Sequence, residues 1–172
     1  FLTFNYTPTL ETLYSIDENI ILHIHGKAGT DDELVLGHGV SEGDIEKMLE
    51  KDFPIDEEEG DDYVTQRAKS AAINGVYNQR KKVDEIIKKH EEWFSSLKYV
   101  TNLYFYGHSF GEVDLPYFRK ILSVVNKKNV QIEVNDFNGE NKASIDAFMR
   151  SESIGTEQYP IINLNDELLI KL

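Results

Sequence analysis

The chain of 172 residues contains no cysteine, which excludes disulfide bonds, a thiolate nucleophile and cysteine-ligated zinc sites. Its apolar runs are only a few residues long, whereas a membrane-spanning helix needs about 20 apolar residues. Basic residues are scarce: 18 Lys and Arg stand against 31 Asp and Glu, and the net charge of −13 argues against binding to a nucleic-acid backbone. We therefore expect a cytoplasmic protein that binds neither nucleic acid nor a membrane.

What the chain does contain is typical of one globular domain. Apolar residues make up 40% of it and charged residues 28%, which suits a packed core with a charged surface. An apolar run over residues 1–4 predicts a strand at the very start. Because an element is expected to precede that strand, we interpret residues 1–172 as a single α/β domain that is incomplete at its N-terminus and belongs to a longer protein.

Short β-type runs alternate with helical patterns along the chain. The patterns predict strands over residues 1–4, 19–25, 34–36, 103–106, 130–134 and 159–164. They predict helices over residues 8–13, 41–51, 63–97, 114–126 and 142–149, the first of them capped by Thr7. This alternation is typical of an open, mainly parallel sheet with helices packed against it.

The longest helical pattern covers residues 63–97 and follows an acidic, solvated loop. Loop and helix together are predicted to be an insertion over residues 52–98. The pattern spaces apolar side chains mostly three and four residues apart, so one face of the helix is expected to pack against the domain or against a second copy of the chain. That face carries Val83, Ile86, Ile87, Phe94 and Leu97.

Polar residues and glycines follow several of the predicted strands. Because ligands bind at the carboxyl ends of the strands in open α/β sheets, these residues are expected to share one edge of the sheet. They are Asn5, His23, His25, Gly26, His38, Gly107, His108, Ser109, Asn135 and Asp136. His23 and His25 alternate along one predicted strand, so both would face the same side of the sheet, and one of them is a candidate for a structural role in the core.

Two other chemistries fit parts of this pattern. His23 and His25, with His38 or an aspartate as a third ligand, have a spacing that permits a metal site. Residues 107–111 match the G-x-S-x-G turn of serine hydrolases, and they lie between a predicted strand and a predicted helix. Such hydrolases need a histidine later in the chain than the serine, and none follows His108.

Four blocks of sequence together resemble the bacteriophage abortive infection AbiH family. They are residues 4–7 with Leu10 and Glu11, residues 23–26, residues 37–39, and residues 107–118, of which the last is the longest and most specific. The resemblance implies a role in antiviral defence in a bacterial cell. That family usually begins with a strand and a Gly-Asn-Gly-Phe-Asp-type loop, which we expect to lie upstream of Phe1.

The same order of blocks is similar to the sirtuin-type, Rossmann-like NAD-binding fold. Thr3 and Asn5 match its T-x-N motif, and His25 matches its histidine before a glycine. The resemblance implies NAD as the ligand, with Asn5 and His25 as catalytic residues. It also implies contacts to NAD from Gly26, Gly107, His108, Ser109 and Asn135.

Two departures from sirtuins narrow the implied activity. Thr7 stands where sirtuins carry an aspartate, and no cysteine is present to build their zinc module, which argues against protein deacylation. The activity that the resemblance leaves is that of an NAD glycohydrolase, in which a histidine acts as the base and an asparagine amide orients water or a ribose hydroxyl. The alternative is an interaction or sensor module that has the same fold and is catalytically silent.

Overall fold

The computed structural model describes residues 1–40, 43–45, 47, 51, 63–136 and 139–162. The chain divides into two compact units, Phe1–Lys82 and Val83–Leu172. Each unit contains helices and a small parallel sheet, which confirms the predicted α/β class. The two sheets do not confirm a sirtuin-type arrangement. A single domain over residues 1–172 and an insertion over residues 52–98 both stay predictions.

The first unit is built around two short parallel strands. β1 (Leu2–Thr3) pairs with β2 (Leu22–His23) so that Thr3 lies opposite His23. The helices of this unit include α1 (Thr9–Tyr14), which connects the strands, and α2 (Tyr63–Asn78). Because the strands are parallel, their carboxyl ends lie at the same edge, and Asn5 lies there, two residues after the end of β1.

Local hydrogen bonds make the second strand shorter than predicted. The Asp17 carboxylate accepts a hydrogen bond from the backbone N–H two residues later, and this bond starts a 3-10 turn over Glu18–Ile20. Beyond β2, the N–H of Gly26 donates to the carbonyl oxygen of His23 at 3.0 Å, so His25 lies in a turn. The prediction that His23 and His25 alternate along one strand is therefore wrong.

Two further predictions for the first unit are wrong. Residues 34–36 are irregular rather than a strand: the N–H of Val35 donates to the carbonyl oxygen of His25, but the Val35 carbonyl oxygen accepts from the Tyr6 hydroxyl instead of from a neighbouring strand. Thr7 does not cap α1: the N-cap is Pro8, and the Thr7 hydroxyl shares a hydrogen bond with the hydroxyl of Thr9 instead. The predicted helix over residues 41–51 lies partly outside the described residues, and those that are described within it are mostly helical.

The second unit contains a three-stranded parallel sheet in the order β3-β4-β5. Its strands are β3 (Asn102–Phe105), β4 (Gln131–Asn135) and β5 (Ile161–Ile162). Its helices are α3 (Val83–Lys89), α4 (Glu91–Ser96), α5 (Leu115–Val124) and α6 (Lys142–Ser151), with 3-10 turns at Leu97–Tyr99 and Thr156–Gln158. β3, β4, α5 and α6 match their predicted positions to within one or two residues at each end. The predicted last strand continues past residue 162, outside the described residues.

The predicted long helix over residues 63–97 is wrong, because the chain forms three helices there. α2 runs through Gly75 and ends at Asn78, and the next residues pair with a distant loop. The N–H of His38 donates to the carbonyl oxygen of Gln79, and the N–H of Lys81 donates to the carbonyl oxygen of His38. These bonds use backbone groups that a continuing helix would need. The break is therefore a tertiary effect that no local pattern contains.

The apolar face predicted for this segment does pack within the second unit. Ile86 of α3 and Phe94 of α4 are buried, and Val83, Ile87 and Leu97 are half-buried. Aromatic rings form the core beside it: Phe118 of α5 lies 5.2 Å from the ring of Phe105 and 5.0 Å from that of Phe110. In the described part of the chain, no helix has both the length and the apolar character that crossing a membrane requires.

Candidate functional site

Three side chains and one backbone carbonyl group meet near the carboxyl edge of the first sheet: those of Glu11, His23 and Lys27, and the carbonyl of Asn5. We call these four residues the first-unit cluster. His23 Nδ1 donates to the carbonyl oxygen of Asn5 at 2.9 Å, and His23 Nε2 lies 3.0 Å from Glu11 Oε1. Lys27 Nζ lies 3.0 Å from the same carboxylate oxygen. The carboxylate of Glu11 on α1 thus binds His23 of β2 and Lys27 of the following turn, and His23 links it to the backbone of Asn5.

Both hydrogen-bond partners of the His23 ring are acceptors. A carbonyl oxygen only accepts hydrogen bonds, and an ionised carboxylate only accepts them as well. The neutral imidazole has a single N–H and satisfies one of these two partners, whereas the imidazolium satisfies both. Only 7% of the His23 side chain and 13% of the Glu11 side chain are exposed, so water has little access to replace either bond.

Glu11 is held in its ionised form. Burial raises the pKa of its carboxyl group, but hydrogen bonds from Lys27, its own backbone and His23 outweigh burial and lower the pKa to about 2. The hydrogen bond to Glu11, opposed by partial burial, raises the pKa of Lys27, which also reaches Glu18 Oε2 at 3.3 Å. Within the described residues, nothing donates a hydrogen bond to the buried Glu11 Oε2.

His25 lies close to this cluster in sequence but in different surroundings. It is only 2% exposed, and its ring packs 5.5 Å from the ring of Phe4 and 6.3 Å from that of Tyr6. Gly26 follows with a φ of +85°, and a Cβ there would stand 2.6 Å from the carbonyl oxygen of Glu33. The glycine is therefore required by the path of the backbone, which closes over His25.

In the second unit, the loop after β3 carries the predicted G-x-S turn. Gly107 has a φ of +66° with open space where a side chain would stand, and Ser109 is exposed. His108 accepts a hydrogen bond from the N–H of Phe110 on Nδ1 at 2.8 Å and lies 3.3 Å from Asp114 Oδ2 through Nε2. Both ring nitrogens of His108 thus hold the loop together, while Gly107 and Ser109 face outward.

Asn135 ends the neighbouring strand β4. It is 8% exposed, and its side-chain amide donates to the carbonyl oxygen of Ile162 at 3.1 Å, which ties β4 to β5. The next residue, Asp136, is 2% exposed and accepts hydrogen bonds from the backbone and the side chain of Asn141 at the start of α6. The Asn135 side chain therefore joins two strands, and the Asp136 side chain joins the end of β4 to the start of α6.

A family model described as "Bacteriophage abortive infection AbiH" matches residues 1–136, which is most of the chain. The chain belongs to the AbiH family. Family membership indicates a role in the abortive infection of bacteriophage and confirms the resemblance found in the sequence. A search of curated proteins and a search of solved structures found no significant match. The similarity to sirtuins is not shown by these comparisons.

The structure of this AbiH-family chain brings the predicted site residues together in two groups. Asn5, His25 and Gly26 lie at the carboxyl edge of the first sheet, and Gly107, His108, Ser109 and Asn135 lie at the carboxyl edge of the second. Within each group the residues follow neighbouring parallel strands, but the two groups lie at two separate sheets. The prediction that all of them share one edge of one sheet is therefore not confirmed. Their roles toward a ligand stay predictions.

Among the described residues of this AbiH-family chain, the metal alternative is not assembled. Across the described ranges, no three His, Asp or Glu side chains stand close enough to hold an ion. His38, the third ligand of that alternative, donates from Nε2 to the carbonyl oxygen of Val76 at 3.0 Å and accepts from the N–H of Val40 on Nδ1. These contacts give His38 a structural role at the end of α2.

Sequence reasoning missed Glu11 as a functional candidate. Glu11 belongs to a block that resembles the AbiH family, but nothing in a helix pattern shows which strand residue its carboxylate meets. Asp136, by contrast, follows Asn135 at a predicted strand end and is grouped with it by that position. Its pairing with Asn141 is visible only in the structure.

Proposed function

We propose that this AbiH-family chain acts in phage abortive infection by binding and cleaving NAD, with Asn5 orienting water or a ribose hydroxyl and His25 acting as general base. The observation that carries the proposal is the setting of Asn5. It is an exposed residue near the carboxyl end of a parallel strand, and its backbone N–H and carbonyl groups are hydrogen-bonded to Thr3 and His23. Ligands of open α/β sheets bind at such strand ends.

The residues of the second unit fit a nucleotide in part. Gly107 leaves room for a phosphate or ribose oxygen to approach the backbone, and the Ser109 hydroxyl is exposed for a hydrogen bond. Asn135 and His108 fit less well, because the Asn135 amide is bound to Ile162 and both His108 nitrogens are engaged within the loop. We therefore narrow the proposed nucleotide contacts of this unit to Gly107 and Ser109.

The proposed roles follow from the chemistry of the two side chains in the first unit. An asparagine amide donates and accepts hydrogen bonds without carrying charge, so it orients a hydroxyl or a water molecule. A neutral imidazole accepts the proton that this hydroxyl or water releases. Because the rings of Phe4 and Tyr6 cover His25, the base reaches a substrate only after these rings move aside.

The burial of His25 under these two rings also favours a second candidate function. A histidine that is 2% exposed and packed between aromatic rings has the surroundings of a core residue. On this alternative the chain is an interaction or sensor module that retains the fold without turnover. The two candidates differ in one measurable property, which is the consumption of NAD.

NAD consumption by the intact natural protein tests the proposal, with and without infection by a phage that triggers defence. We expect Asn5→Ala and His25→Gln to lower NAD cleavage by about a hundred- to ten-thousand-fold, as the loss of a general base does. Asn129→Ala, which changes an exposed asparagine in a turn of the second unit, is the control and should cleave NAD like the unchanged protein. Melting temperatures show whether each variant is folded.

Two results would contradict this assignment. Unchanged turnover in a folded His25→Gln protein would remove His25 as the base. No NAD cleavage by the triggered, unchanged protein would remove the enzymatic proposal and favour the silent module.

A further inference from the structure

We infer that His23, held in place by Glu11 and Lys27, positions Asn5 at the strand end. This inference rests on the proposed function, because it concerns the residue proposed to orient the reacting hydroxyl or water. It assigns a role to three side chains of the first-unit cluster that the catalytic proposal does not use.

The backbone of Asn5 is bound from two sides. Its N–H donates to the hydroxyl oxygen of Thr3 at 3.1 Å, and its carbonyl oxygen accepts from His23 Nδ1 at 2.9 Å. Thr3 and His23 lie opposite each other in the paired strands, and Thr3 is 8% exposed. Both anchors therefore belong to the sheet itself, so the position of Asn5 follows that of the sheet.

His23 in turn has little freedom to turn its ring. Nε2 is bound to Glu11 of α1, and Lys27 from the turn after β2 holds the same oxygen of that carboxylate. A ring bound at both nitrogens has one orientation, and that orientation points Nδ1 at the Asn5 carbonyl group. A largely buried ion pair stabilises a protein little more than apolar residues of the same size would. We therefore attribute to Glu11 and Lys27 the orientation of the His23 ring rather than a large gain in stability.

Two substitutions at one position separate positioning from general stability. The amide nitrogen of asparagine reaches approximately where Nδ1 of a histidine stands, and that of glutamine reaches approximately where Nε2 stands. His23→Asn therefore retains the donor to the Asn5 carbonyl group and loses the bond to Glu11. His23→Gln retains the bond to Glu11 and loses the donor to Asn5. Both variants replace the imidazole by an uncharged amide.

Hydrogen exchange at the Asn5 amide measures positioning without any need for activity. In the intact natural protein we expect this amide to exchange roughly tenfold faster in His23→Gln than in the unchanged protein, because one of the two hydrogen bonds that hold the backbone of Asn5 is lost and the residue opens more often. In His23→Asn we expect a rate within about threefold of the unchanged protein. Equal rates in the two variants would overturn the inference.

NAD turnover by the same proteins links the position of Asn5 to chemistry. We expect kcat to fall about 10- to 100-fold in His23→Gln with little change in KM, because misplacement of an orienting group slows the chemical step more than it weakens substrate binding. In His23→Asn, which retains the donor to Asn5, we expect kcat to be close to that of the unchanged protein. Equal kcat values in the two variants would overturn the inference while NAD cleavage stands. Faster Asn5 exchange in His23→Gln, with no NAD cleavage by the unchanged protein, would overturn the proposed function and leave the positioning of Asn5 supported.

Discussion

The histidines that follow predicted strands differ in what their ring nitrogens meet. The His23 ring faces an acceptor at each nitrogen, whereas His38 and His108 each accept a backbone N–H on Nδ1. A ring that accepts on Nδ1 is neutral and carries its proton on Nε2. His25 is distinguished by burial between Phe4 and Tyr6. Residues that look equivalent in the sequence therefore have three different electrostatic settings.

Ser109 shows the same dependence on neighbours. A serine nucleophile needs a base within hydrogen-bond reach to take its proton. The adjacent His108 has both nitrogens engaged, one with the N–H of Phe110 and one with Asp114. The G-x-S-x-G match is therefore a turn that presents a hydroxyl, and the structure offers no support for the hydrolase alternative.

The first prediction concerns the pH dependence that Glu11 brings to stability. Because its pKa in the folded protein is about 2, below the ordinary value of 4.5, the ionised form is favoured by folding. This contribution is complete above about pH 5 and decreases as the pH falls from 4.5 toward 2. We expect Glu11→Gln to destabilise the protein at pH 7, and the difference in the free energy of unfolding to shrink between pH 5 and about pH 2.

Urea unfolding of both proteins at several pH values measures that difference. Glu92→Gln in α4, an exposed glutamate, is the control for the removal of one negative charge. A difference between the unchanged protein and Glu11→Gln that stays constant down to pH 2 would show that Glu11 is not stabilised as an anion.

At the scale of elements, the most informative feature is the end of α2. The segment from residue 63 to residue 97 has the periodicity of one helix, and Gly75, the residue most expected to bend it, lies inside α2 without ending it. The helix ends where Gln79 and Lys81 pair with the backbone of His38. Gly37 makes that approach possible, because its φ is +134° and a Cβ there would stand against the carbonyl oxygen of Gln79.

The second prediction tests this close approach by comparing two glycines. Gly29 also has a positive φ, of +84°, but no atom lies within 4 Å of where its Cβ would stand. Gly29→Ala therefore introduces backbone strain alone, whereas Gly37→Ala adds a clash with Gln79. We expect Gly37→Ala to lower the free energy of unfolding by about 1–3 kcal/mol more than Gly29→Ala, as overpacking does. Denaturant unfolding of both variants measures this, and equal losses would mean that the contact with Gln79 does not constrain position 37.

At the scale of the whole chain, the net charge follows from the composition alone. The net charge is −13, and the acidic residues are spread over both units. A surface with this excess of negative charge repels a phosphate backbone at low ionic strength. This property is independent of how any single side chain is placed.

The third prediction follows from that charge. We expect no binding of a labelled duplex of about 20 base pairs at about 50 mM salt, where electrostatic attraction to phosphates is strong. Fluorescence anisotropy measures the binding, with a basic DNA-binding protein as the positive control. Binding that weakens steeply as salt is raised would contradict the prediction, because that dependence is the signature of phosphate contacts.

The sequence by itself determined the class of the fold, the positions of most regular elements and the family. Alternation of β-type and helical patterns predicts parallel strands, and residues such as Asn5 and Ser109 do follow strands at the expected edges. These features depend on periodicity and on residues that are neighbours in the chain. The AbiH resemblance likewise depends on blocks of adjacent residues, and the family match confirms it.

Only the tertiary structure decided which residues meet across long stretches of chain. The end of α2 depends on His38, which lies some forty residues before it, and the setting of His23 depends on Glu11 and Lys27 from separate elements. Hydrogen bonds between distant segments leave no periodic trace, because each partner satisfies its local pattern equally well without the other. The burial of His25 was decided in the same way, since it depends on where Phe4 and Tyr6 pack rather than on any residue beside it.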